Sequence, residues 1–213
     1  MNRSTIALKR GPIIARRKQI EQHHRRTQEI VDASAHLIQE KGFHGTTLQD
    51  VADQLDFTKA ALYYYVQDKQ DLLFRIHMQT LEMALVAVES IVQGATSPRE
   101  KVRACLDNQV RMVARHPDLF TVYFHEKSHL TAEHAEAVTT MERQIVHAIV
   151  DIIREGIASG DFQDVDPTVA AFAVLGASSW VYRWYRPGGR LAIEEVSQTL
   201  QTMILSGLEK RGD

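Results

Sequence analysis

A chain of 213 residues with one cysteine, Cys105, forms no intrachain disulfide, and a reducing cytoplasm is its natural home. No apolar run approaches the roughly eighteen residues needed to cross a bilayer. Residues 1–26 are too basic and too polar for a secretory signal, because they lack its apolar core. Strand-like alternation is missing, as are internal repeats and low-complexity runs. No ordered Ser/His/Asp set, phosphate loop or dinucleotide fingerprint is found, so the chain is not expected to be an enzyme of those kinds.

What is present suits a globular protein: 44% of residues are hydrophobic and 24% charged. The net charge of −2 hides an asymmetry. Residues 1–31 hold eight Lys/Arg against two acids, a balance of +6, and the segment to Arg75 carries +3. The remainder therefore carries −5. A basic leading segment before an acidic body fits a polyanion partner for the first part, or a solvated tail.

Helical periodicity dominates. Ile30, Val31, Ala33, Ala35, Leu37 and Ile38 mark a first helix over 25–41, which Gly42 stops. Thr47 and Asp50 have the form of a capping box opening a second helix through Val51, Ala52 and Leu55. Thr58 caps a short third helix, and Asp68 a longer fourth one carrying Leu72 to Val88. After a break at Gly94–Pro98, helices are expected over 98–115, 117–127, 132–158, 166–186 and 192–210, with Gly and Pro between them. The fold class is all-α: a basic, disordered arm over 1–24, a three-helix head over 25–75, and a larger helical body over 76–213.

The segment from Thr46 to Tyr65 is the informative one. Two short helices flank a three-residue connection at Asp56-Phe57, the spacing of a DNA-binding helix-turn-helix. In such a unit the second helix enters the major groove and the first braces it. Small Ala52 sits where the helices cross, and Val51, Leu55, Phe57 and Leu62 fix their angle. Tyr65 lies on the apolar side, whereas Tyr63 and Tyr64 have hydroxyls suited to phosphate contact.

On Gly42-Phe43, Thr46-Thr47, Asp50-Val51-Ala52, Thr58 to Tyr65, Lys69 and Leu72-Leu73 the chain resembles the tetracycline-repressor (TetR) family of regulators. The resemblance implies DNA contacts from Thr46, Thr47, Thr58, Lys59, Ala60, Tyr63, Tyr64 and Lys69, a duplex DNA operator as partner, and a homodimer made by the last two helices. Two positions depart from it. Asp56 stands where the family usually has Gly in the turn, and Asp tolerates a left-handed backbone better than most residues. Ala60 stands where Gly is common.

In the body, Trp180, Arg183 and Trp184 share one helical face by their spacing. They either grip an anionic, partly apolar ligand or pack at a dimer edge. This run, with Gly156 to Phe162 and Asp166-Pro167, resembles the family branch of acyl-CoA-responsive repressors of steroid and fatty-acid breakdown. That resemblance implies an acyl-CoA thioester as small-molecule effector, its acyl part near Phe120, Phe124, Met141 and Ile145, and its phosphates near Arg183 and Arg186. The effector would act on the heads through the fourth helix. No cofactor and no membrane partner are expected. The rival reading is a zinc hydrolase, because His125-Glu126-Lys127-Ser128-His129 matches a zinc-binding helix motif. A scaffold whose helix-turn-helix no longer binds DNA is the third.

Overall fold

The computed structural model describes residues 10–94 and 97–209, with side chains from Lys18 onward. Packing divides the chain between Leu72 and Leu73, where the sequence pattern placed the division after Arg75.

The N-terminal unit starts with a long helix, α1 (Arg10–Gly45). The disordered arm expected over 1–24 is therefore corrected from Arg10 onward; residues 1–9, including Lys9, lie outside the described residues. Pro12 falls in the first turn, where its missing N–H costs nothing. From there to Gly42 the chain has neither Gly nor Pro, and it is rich in Ala, Arg, Lys, Gln and Glu, so no residue stops the helix. Gly42 breaks it with a kink before the last turn to Gly45, at φ 74° and ψ 164°, a backbone conformation that L side chains rarely adopt.

The next two helices begin at the caps their sequences announce. For α2 (Leu48–Gln54), the Thr47 hydroxyl accepts from Asp50 N–H at 3.1 Å and the Asp50 carboxylate accepts from Thr47 N–H at 2.8 Å. Hydrogen bonds from the Thr47 hydroxyl and then its backbone N–H lower the Asp50 carboxyl to about 2. Asp56 turns the chain at φ 54°, as a residue able to enter the left-handed region must. Thr58 then caps α3 (Lys59–Tyr63) by accepting from Ala61 N–H at 3.1 Å. Asp68 accepts from Asp71 N–H at 2.8 Å where α4 (Lys69–Gln93) begins. Ile30, Leu37, Val51, Ala52, Leu62 and Leu72 form the core of this unit.

The C-terminal unit holds the rest of α4 and α5 (Pro98–Arg115), α6 (Pro117–His125), α7 (Ala132–Ser159), α8 (Pro167–Ser179), α9 (Val181–Trp184) and α10 (Ile193–Leu208). A short 3-10 turn, Lys127–His129, follows α6. Among the described residues there is no β-strand, only an isolated bridge between Phe162 and Glu209. Helix α5 packs against α8, α7 and α10, and the core includes Leu106, Val138, Ile149, Ile153, Ala171 and Val174. The single helix expected over 166–186 is instead two, α8 and the one-turn α9, meeting at Trp180.

The close of α7 fixes a tight contact. Phe162, 2% exposed, donates its N–H to Gly156 O at 2.9 Å, and a Cβ on Gly156 would lie 2.2 Å from the Phe162 ring. Gly156→Ala should therefore destabilise the fold by about 1–3 kcal/mol, as overpacked cores do. At about 2–4 °C per kcal/mol for a domain of this size, thermal denaturation should show a drop of several degrees. A parental melting temperature would mean that the ring swings aside freely.

Candidate nucleic-acid interface and ligand cavity

Helix α3 buries one residue, Leu62, and leaves Lys59, Ala60, Tyr63 and Tyr64 exposed. The two tyrosines are 49% and 70% exposed, and Tyr64 makes edge contacts with the rings of His23 and Tyr65. Lys59 Nζ lies 6.0 Å from the Tyr63 ring centre, at the outer edge of a cation–π contact. Tyr65 turns inward onto the head core and stacks on His23 of α1 at 5.0 Å. His23 and Arg26, whose guanidinium sits 5.6 Å over Phe57, thus tie α1 to the two short helices. The outcome is a short helix with exposed hydroxyl, ammonium and N-terminal N–H groups, the set that meets phosphates and base edges.

The threonines divide by role. The Thr47 hydroxyl is committed to the capping box, also donating to Asp50 at 2.5 Å. Thr58 caps α3 and remains exposed. Thr46 is corrected: its side chain is 1% exposed and its hydroxyl donates to Leu37 O at 3.2 Å and Gly42 O at 3.1 Å. It holds α1 to the turn and presents nothing to a duplex. Lys69 is half-buried, donating to Thr46 O at 2.9 Å and lying 4.3 Å over Phe43, which leaves two of its three N–H donors for a phosphate.

The C-terminal unit encloses a cavity of about 460 Å³. It falls in the range of small-molecule sites. Its wall comes from α4 to α8: Leu81 and Ala84 from α4, Phe120 and Phe124 from α6, Ile145 and Val146 from α7, and Phe172 and Leu175 from α8. Gln109 of α5 adds a polar spot, donating to Ser179 at 3.2 Å. A second spot is built from Tyr123, Glu142 and Lys127. The Tyr123 hydroxyl donates to Glu142 at 2.5 Å, and Lys127 Nζ lies 2.6 Å from both carboxylate oxygens. Burial first, then the Glu142 hydrogen bond, pushes the Tyr123 hydroxyl well above its ordinary range, so it stays a neutral donor.

Two family models match this chain. Residues 30–76 match bacterial regulatory proteins of the tetR family, and residues 95–208 match the tetracyclin repressor-like C-terminal domain. The chain belongs to the TetR family. The transcriptional repressor KstR2 of Mycolicibacterium smegmatis is 27% identical over 192 residues, 88% of this chain and 93% of that one. The crystal structure of AibR in complex with isovaleryl coenzyme A and operator DNA is 32% identical, with a TM-score of 0.76 over 84% of this chain and 97% of the other. PfmR, a TetR family regulator from Thermus thermophilus, is 30% identical with a TM-score of 0.78, over 85% of this chain and 99% of its own.

Within this TetR frame, three of the expected ligand residues, Phe120, Phe124 and Ile145, line the cavity. Four do not. Met141 packs against the body core, one position off the α7 stripe that faces the cavity. Trp180, Arg183 and Trp184 are exposed and outside the wall, because α9 is anchored from its other side. Val181 is fully buried there, and Tyr182 stacks on Phe124 at 4.6 Å. Arg186 is exposed beyond the end of α9. The missed wall residues, such as Leu81, Tyr123, Glu142 and Phe172, come from several helices, and only the polar break Glu142-Arg143 in an apolar stripe signals them locally.

The zinc reading is corrected. His125 ends α6 and His129 lies in the separate 3-10 turn, so the two are not on one helix face. His125 Nε2 pairs with the Tyr182 hydroxyl at 3.2 Å, and His129 Nε2 sits 3.3 Å from Glu126. Among the described residues no group of three or more His, Cys, Asp or Glu could hold a metal. Cys105 is buried, and burial pushes its thiol up to about 12, which makes it inert. No helix of the described residues is long and apolar enough to cross a membrane.

Proposed function

We propose that this protein is a dimeric transcriptional repressor that leaves its operator when an acyl-CoA thioester enters the cavity of the C-terminal unit. The observation that carries the reading is the shared helix α4. Its first turn, with Lys69 and Leu72, belongs to the DNA-binding head, while Leu81 and Ala84 further along it form part of the cavity wall. A ligand that fits one arrangement of α4 better than another shifts the population by its differential affinity, and about 10⁴-fold of preference switches it nearly completely.

The thioester is supported by the similarity to AibR, whose structure holds isovaleryl coenzyme A and operator DNA. Dimerisation is supported by the need of a helix-turn-helix for two half-sites, and by the apolar side chains that α8 and α10 expose, Val169, Phe172 and Met203.

Fluorescence anisotropy on duplex DNA from upstream of the protein's own gene tests this, with isovaleryl-, octanoyl- and stearoyl-CoA added in turn. Tight, salt-sensitive binding released by one of them is expected. Binding that none of the three weakens would discard the thioester, and no binding to that DNA would discard self-regulation.

A further inference from the structure

The rim of the cavity carries two side chains that its apolar wall does not explain. Arg143 and His147 lie one turn apart on α7, both line the cavity, and both are exposed. Leu81, Phe120 and Ile145 are buried, so they form the deep end while Arg143 and His147 stand at the mouth. Glu142, the acid next to Arg143 in the chain, is already paired, since Lys127 Nζ lies 2.6 Å from both its oxygens and Tyr123 donates to it as well. Neither Arg143 nor His147 has an ion pair or hydrogen bond among the described residues. An unpaired guanidinium keeps five donors in a fork that fits carboxylate or phosphate oxygens two at a time. An imidazole N–H one turn away adds a donor from the same side.

We propose that Arg143 and His147 form an anion clamp at the cavity mouth, and that the effector is an amphiphile with an apolar part inside and an anionic head held by this pair. The inference rests on the ligand-binding reading of the cavity and names a part of the site that Arg183 and Arg186, outside the wall, do not supply. Phosphates of a CoA thioester and the carboxylate of a free fatty acid share the chemistry that the clamp recognises.

Isothermal titration with octanoyl-CoA, octanoate and the uncharged thioester S-octanoyl-N-acetylcysteamine separates them. Arg143→Gln is expected to weaken octanoyl-CoA by about tenfold or more, Arg143→Lys to recover part of the loss, and both to leave the uncharged thioester unaffected. His147→Gln should weaken the same anion by a smaller factor. Octanoate bound and weakened by Arg143→Gln, with octanoyl-CoA not bound, keeps the clamp and removes the thioester from the proposed function. Equal binding of the anions by parent and Arg143→Gln overturns the clamp. So does an equal loss for the uncharged thioester, which marks a merely structural role, and so does a parent that binds none of the three.

Discussion

Replacing Lys59 by glutamate is expected to weaken operator binding by about 100-fold or more, while the protein keeps its fold. Lys59 is the first residue of α3, is exposed, and makes no ion pair among the described residues, so its charge is free to meet a phosphate. A hydrogen bond to a charged group is worth about 1.5–3 kcal/mol, and a dimer with two heads loses it twice. The fold survives because an acidic side chain in the first turn interacts favourably with the helix dipole. Lys59→Ala isolates the phosphate contact. It should make the dependence of log K on log salt shallower by about 1.8, which is about 0.9 for each of two phosphates. Anisotropy titrations at several salt concentrations measure both quantities. An unchanged affinity and slope would take the N-terminus of α3 off the DNA.

The head was legible in the sequence because its signals are short-range. A capping box spans four residues, an N-cap reaches three onward, and the Asp56 turn needs only a residue that tolerates φ 54°; each was readable without knowing the rest of the chain. Thr46 was misassigned because a buried threonine and an exposed one look alike in a motif, and only the bonds to Leu37 O and Gly42 O tell them apart. Positive charge alone does not signal disorder: from Arg10 onward the arm is helical, because the stretch lacks any helix breaker between Pro12 and Gly42. The cavity was legible only in part. Its wall is assembled from five helices, and pairing between distant segments leaves no periodic trace. Phe120, Phe124 and Ile145 could be picked as apolar, but nothing local distinguished Ile145, which faces the cavity, from Met141, which does not. The tryptophans failed for a related reason. Their spacing is right for a shared face, but spacing does not say which face a helix buries, and Val181 and Tyr182 settled that against them.

Ala84→Trp should leave the protein on its operator at effector concentrations that release the parent. Ala84 lies in the cavity wall on α4, so an indole there occupies volume the effector needs. Admitting a ligand then requires displacing the ring into packed surroundings, at an overpacking cost of about 1–3 kcal/mol. At about 1.4 kcal/mol per tenfold, the half-release concentration should rise about 5- to 150-fold. The same anisotropy titration without effector supplies the control, since α3 and its contacts are untouched by the change. Ala84→Ser, which adds a single atom, should respond like the parent. Release of Ala84→Trp at the parental concentration would place the effector outside this cavity. A variant already off the DNA before any effector is added would mean that the indole itself selects the released arrangement of α4. That result would reverse the expected phenotype and still locate the switch at Ala84.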